Sequence, residues 1–129
     1  MTDGSSPAGS GGRTAAGLAF DDRGSGSPVI LVHAAVADRR MWDPQVDPLS
    51  AANRVIRYDA RGFGESLPPL GPWSQHTDLL GLLDELLISR AHLVGASMGA
   101  GIAVEAALAR RCAVRRVSGR APARLGSRG

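Results

Sequence analysis

The stretch HLVGASMGAG, residues 92–101, constrains the fold more than any other part of the chain. At its centre is Gly95-Ala96-Ser97-Met98-Gly99, a G-x-S-x-G set between an apolar HLV and an apolar, alanine-rich run. Glycines at both ends of such a turn allow a strand and the following helix to pass closely, where a Cβ would clash. The serine between them is held in a strained conformation with its hydroxyl clear of the surface. The spacing alone is short and recurs by accident, so a packing turn with a bystander serine is its plain structural reading. Its position between strand and helix patterns makes Ser97 a candidate nucleophile.

The flanking sequence supports an alternating α/β chain. PVILVH (28–33), RVIRY (54–58) and AHLV (91–94) are short continuous apolar runs, as expected for strands buried on both faces of a parallel sheet. Residues 14–22 have weaker strand character. Residues 37–50 carry Met41, Trp42, Val46 and Leu49 at helical spacing, interrupted by Pro44 and Pro48. Residues 74–88 give the clearest helix, with Ser74 as N-cap and Leu79, Leu80, Leu82, Leu83, Leu86 and Leu87 as its apolar face. A third helix is expected over 98–109. Strands alternating with helices predict right-handed crossovers and a mainly parallel sheet flanked by helices. The run from Ala91 to Ala109 reaches only the lower limit of a membrane span and contains His92, Ser97 and Glu105, so no membrane segment is expected.

In such sheets ligands collect at the carboxyl ends of the strands. Three motifs lie there. The first is the serine turn, where the Met98 amide at a helix N-terminus is suited to an oxyanion. The second is His33-Ala34-Ala35, where the Ala35 amide is the expected second oxyanion donor and His33 a structural hydrogen-bonding residue. The third is YDARGFGES (58–66), a glycine loop that Asp59 with Arg61 is expected to lock by hydrogen bonds or an ion pair. It lacks the third glycine and the following helix of a nucleotide loop. His76 is expected at the surface and His92 at the far end of the third strand. The three histidines and the single Cys112 show no metal-ligand spacing, and no cofactor is expected.

Together, PVILVHAAVADRRMWDPQVDPL, VIRYDARGFGES and AHLVGASMGAGIAVEAAL resemble the α/β-hydrolase superfamily, in particular its single-domain esterase, lactonase and cofactor-free haloperoxidase branch. The resemblance spans residues 15–109. It implies Ser97 as nucleophile and Met98 and Ala35 as oxyanion donors, with a small-molecule acyl substrate. A serine argues against the haloalkane-dehalogenase and epoxide-hydrolase branches, which use aspartate. Ala34 stands where the family usually has glycine, which alters the conformational freedom of that loop. Members continue past the serine helix into further strands that bring an acid and then a histidine.

Here no histidine follows Ser97, and Glu105 is the only later acid. All fifteen basic residues are arginine. Residues 1–109 hold eight Arg against twelve Asp or Glu, a net of −4, and residues 110–129 hold seven Arg and no acid, a net of +7, which together give the +3 of the chain. The sequence therefore predicts a disordered Gly/Ser-rich lead at 1–13, the N-terminal half of an α/β-hydrolase fold at 14–109, and an irregular Arg-rich tail at 110–129. Such a compositional break is what a frameshift or truncation in a high-GC gene would produce. The expectations are a serine hydrolase fragment lacking its triad acid and histidine, inactive alone and prone to aggregate because the strand before Ser97 becomes a sheet edge. A cytoplasmic setting is expected, with no nucleic-acid or membrane partner. The alternatives are a non-catalytic interaction module with a basic tail, and a fragment completed in trans by a second chain.

Overall fold

The computed structural model describes residues 10–120. Its six strands are β1 (Ser10–Arg13), β2 (Ala19–Arg23), β3 (Ser27–Val32), β4 (Asn53–Tyr58), β5 (Ala91–Ala96) and β6 (Val114–Arg120). Three α-helices connect them: α1 (Asp43–Ser50), α2 (Gln75–Glu85) and α3 (Met98–Ala109). The strands form one sheet in the order β1-β2-β4-β3-β5-β6. β4, β3, β5 and β6 run parallel, and β2 and β1 add as antiparallel strands beyond β4. The family fold expected from the sequence is therefore present, with a mostly parallel sheet and helices on both faces.

Alternation of side chains across the strands divides the core. Ile30, Val32, Ile56, Tyr58 and Leu93 face α2 and α3, where they meet Leu79, Leu82, Leu83, Ile102, Ala103 and Ala106. Val29, Leu31 and Val55 face the other way, toward Trp42 and Leu49. α2 starts as expected: the Ser74 hydroxyl accepts from the Thr77 amide, and the Thr77 hydroxyl returns the interaction to the Ser74 amide, completing a capping box. Pro44 and Pro48 leave α1 only eight residues, preceded by a turn of 3-10 helix at Arg39–Trp42. No helix among the described residues is long and apolar enough to cross a membrane.

Four expectations need correction. Residues 10–13 of the lead are strand β1, not disordered; residues 1–9 lie outside the described part. Gly11 and Gly12 fit there because an added Cβ would come within 2.9 Å of the Asp21 carboxylate and 3.2 Å of the Phe20 ring. Second, the tail is not wholly irregular. Residues 114–120 form β6, for which Val114 and Val117 supply just enough apolar contact with the core, while a bulge at Ala91/His92 adjusts the register to β5. Residues 121–129 lie outside the described part. Third, β5 is consequently not an edge: β3 and β6 flank it, and β6 is the outermost strand on that side among the described residues. Fourth, Leu87 does not belong to the apolar face of α2. It takes φ +59 just past the helix and is 91% exposed, while the Ile88 amide closes back on the Leu83 carbonyl at 2.9 Å.

Candidate active site at the strand-to-helix turn

Ser97 joins β5 to α3 with φ 55° and ψ −113°, a sparsely populated conformation for a residue bearing a side chain. Its neighbours enforce this. A Cβ on Gly95 would lie 2.3 Å from the Gly99 carbonyl oxygen, and one on Gly99 would lie 2.0 Å from the Val32 carbonyl oxygen and 2.8 Å from that of His33. The first turn of α3 is thus pressed against the end of β3, beside the loop that carries Ala35. The Ser97 amide donates to the Arg120 carbonyl at 2.7 Å, so β6 fastens the turn from the other side. That tie had no signal in the sequence.

Both amides expected to bind an oxyanion are available. Neither the Met98 nor the Ala35 N–H has a protein acceptor among the described residues, whereas the Ala34 N–H points to the Met41 sulfur at 3.3 Å. His33 sets this loop. Its Nε2 accepts from the Ala60 amide at 2.9 Å, so the proton lies on Nδ1, which donates to the Ala34 carbonyl at 2.7 Å. The ring is fully buried and both nitrogens are engaged, the structural role expected of it. His76 lies at the start of α2, 3.9 Å from Glu105, and His92 lies at the opposite end of β5 from Ser97. No hydrogen bond joins the Ser97 hydroxyl to a histidine among the described residues, where the rings of His33 and His76 bond elsewhere.

The loop after β4 is locked by hydrogen bonds from both expected residues: the Asp59 carboxylate accepts from the Glu65 amide, and Arg61 donates to the Leu67 carbonyl. Asp59 and Arg61 do not pair with each other. The fully buried Asp59 carboxylate accepts from the Arg39 guanidinium, the Arg39 amide (2.7 Å) and the Glu65 amide (2.8 Å). Arg61 instead makes a two-pronged pair with Asp78 of α2, at 2.9 and 3.0 Å. The two side chains leave the loop in different directions, which adjacent sequence positions do not reveal. Burial alone would lower the Arg39 pKa, but hydrogen bonds to Glu65 and Asp21 and the charge of Asp59 raise it overall, so the guanidinium stays charged. Gly64 has φ +51 and a Cβ there would overlap the Asp59 carboxylate at 2.2 Å. Burial, with the Asp78 charge second, pushes the Tyr58 phenol above its usual range, so it is neutral at neutral pH. Asp59→Ala leaves the Arg39 and Glu65 amides without their acceptor, while the Arg39 guanidinium keeps Asp21 and Glu65. It is expected to cost about 2–4 kcal/mol, seen as a lowered urea midpoint, because a buried donor left without its acceptor costs about 1–3 kcal/mol.

This strand-turn-helix site on a parallel sheet defines a class, and comparison with known proteins agrees. The model of the alpha/beta hydrolase family matches residues 29–127, most of the chain, and the protein belongs to that family. It is 38% identical over 78 residues to 3-oxoadipate enol-lactonase 1 of Acinetobacter baylyi, covering 55% of this chain and 27% of the lactonase. The enol-lactonase structure from Burkholderia xenovorans superposes with TM-score 0.72 at 37% identity, over 78% of this chain and 41% of that one. A thermophilic esterase from Thermogutta terrifontis gives 0.73 at 40% identity, over 78% and 38%. The chain thus spans less than half the length of each of these relatives.

Proposed function

We propose that the chain carries the nucleophile and oxyanion half of a serine hydrolase acting on esters, thioesters or lactones. In this reading the Ser97 hydroxyl attacks the carbonyl carbon, a base takes its proton, and the Met98 and Ala35 amides hold the oxyanion. Collapse expels the alcohol or thiol, and water then releases the acyl group from Ser97. The observation that carries the reading is the strained Ser97 turn beside two unpartnered amides. Support for the substrate class comes from the lactonase and esterase relatives. None of the three histidines is placed to serve as the base, so the 129-residue chain should turn over poorly by itself.

Supplying the base separates the serine from the missing partner. With p-nitrophenyl acetate and millimolar imidazole, one acetyl group is expected on Ser97, found by intact mass and peptide mapping. The Ser97→Ala chain should remain unmodified at that peptide. Acetyl groups scattered over other residues, with Ser97 untouched, would sink the assignment.

A further inference from the structure

The Ala35 N–H belongs to the peptide group that joins Ala34 to Ala35. In a trans peptide the carbonyl and the N–H point in opposite directions within one plane, and no cis peptide bond occurs among the described residues. Whatever grips the Ala34 carbonyl therefore aims the Ala35 N–H. Two donors grip it, His33 Nδ1 at 2.7 Å and the Ala37 amide at 3.3 Å, so the N–H points away from both. A peptide held at its carbonyl can still swing about the Ala34 Cα. The preceding peptide closes that freedom. Its carbonyl, on His33, lies against the first turn of α3, where a Cβ on Gly99 would come within 2.8 Å of it. Its N–H, on Ala34, donates to the Met41 sulfur at 3.3 Å.

Met41 is well placed for this. It stands in the 3-10 turn Arg39–Trp42, where its amide donates to the Asp38 carbonyl at 3.1 Å and the Asp38 carboxylate caps the turn through the Arg40 amide at 2.9 Å. Its side chain lines the cavity that reaches Gly95 and Ala96, the last residues before Ser97. The loop needs such a tie. Val36 takes φ 55°, an outlying conformation for a β-branched residue, and such strain persists only where the surroundings hold it. We infer, resting on the proposed roles of Ser97 and Ala35, that Met41 is a positioning residue for the oxyanion site. Its thioether, through the Ala34 N–H, fixes the peptide whose Ala35 N–H meets the developing negative charge. A thioether is a weak acceptor, so the bond steers a peptide and adds little to the stability of the fold. Packing is the plainer use of a methionine here, and leucine would serve it equally well.

Met41→Leu removes the acceptor and keeps the volume. With p-nitrophenyl acetate and imidazole, the rate at which Ser97 gains an acetyl group should fall about tenfold, a part of the roughly 10²–10³ that one oxyanion donor is worth. The thionoester p-nitrophenyl thionoacetate gives a readout that lost packing would not produce. Its developing charge sits on sulfur, a poor partner for an amide, so thioacetyl transfer to Ser97 should change by less than about twofold. Hydrogen exchange at the Ala34 amide should quicken while the urea midpoint stays at the parental value. A selenomethionine chain, which keeps an acceptor in the same place, should keep the parental ratio of the two rates. Parental rates for both esters in Met41→Leu would overturn the inference and leave Ser97 standing as the nucleophile. Equal slowing of both esters would overturn it as well, because a displaced serine or lost packing gives that pattern. Absence of any acetyl group on Ser97 in the parent chain would sink the reading of Ser97 itself, and the role of Met41 with it.

Discussion

Gly99→Ala is expected to unfold the protein at room temperature. The added methyl would sit 2.0 Å from the Val32 carbonyl oxygen and 2.6 Å from its carbon. These are backbone atoms in the centre of the sheet, so no rotamer change relieves the overlap. Moving α3 outward would open its contacts at Ile102, Ala103 and Ala106. The combined cost should exceed about 4 kcal/mol, a large share of the roughly 5–15 kcal/mol that holds a domain together. Gly101 provides the control on the same helix. A Cβ there meets nothing within 4 Å, and alanine is the better helix former, so Gly101→Ala should stabilise by about 0.5–1 kcal/mol. Urea unfolding of the two variants beside the parent decides the matter. Equal midpoints for Gly99→Ala and the parent would show that the close passage of α3 over β3 is not required.

The same contrast explains what could be read in advance. Gly95 and Gly99 bracket a serine between an apolar strand pattern and an apolar helix pattern, so local sequence and tertiary demand coincide at that turn. The strands β3, β4 and β5 are buried on both faces, and their continuous apolar runs say so. β6 is different. It faces the core only with Val114 and Val117, and arginines occupy its open positions, so its composition resembles a tail although its backbone completes a ladder. β1 likewise pairs through backbone alone, with two glycines in four residues. Charge partners were the least legible. Arg39 lies twenty positions from Asp59 and Arg61 lies seventeen from Asp78, and nothing in the spacing selects those pairs over the adjacent Asp59 and Arg61. Leu87 failed for a related reason: periodicity extends a helix past the point where a left-handed residue has already turned the chain.

Ser97→Ala should lower ester hydrolysis by this 129-residue chain by no more than about tenfold, because a serine without a base is hardly used. In a complete triad the same loss is on the order of 10⁶ in kcat, since nucleophile, base and acid act as one unit. What the chain keeps is the geometry of the turn. On the proposed reading, the Met98 and Ala35 amides would still stabilise an oxyanion as water or hydroxide attacks, and one such donor is worth about 10²–10³ in rate. Parent and variant should therefore hydrolyse p-nitrophenyl acetate at similar low rates, rising together with pH. Added imidazole separates them, because it can deprotonate the Ser97 hydroxyl but has no hydroxyl to act on in the alanine chain. A thousandfold drop on Ser97→Ala without imidazole would mean that a base already reaches Ser97. His33 could do so only by giving up its bond from the Ala60 amide, so a His33→Gln chain would then identify or exclude it.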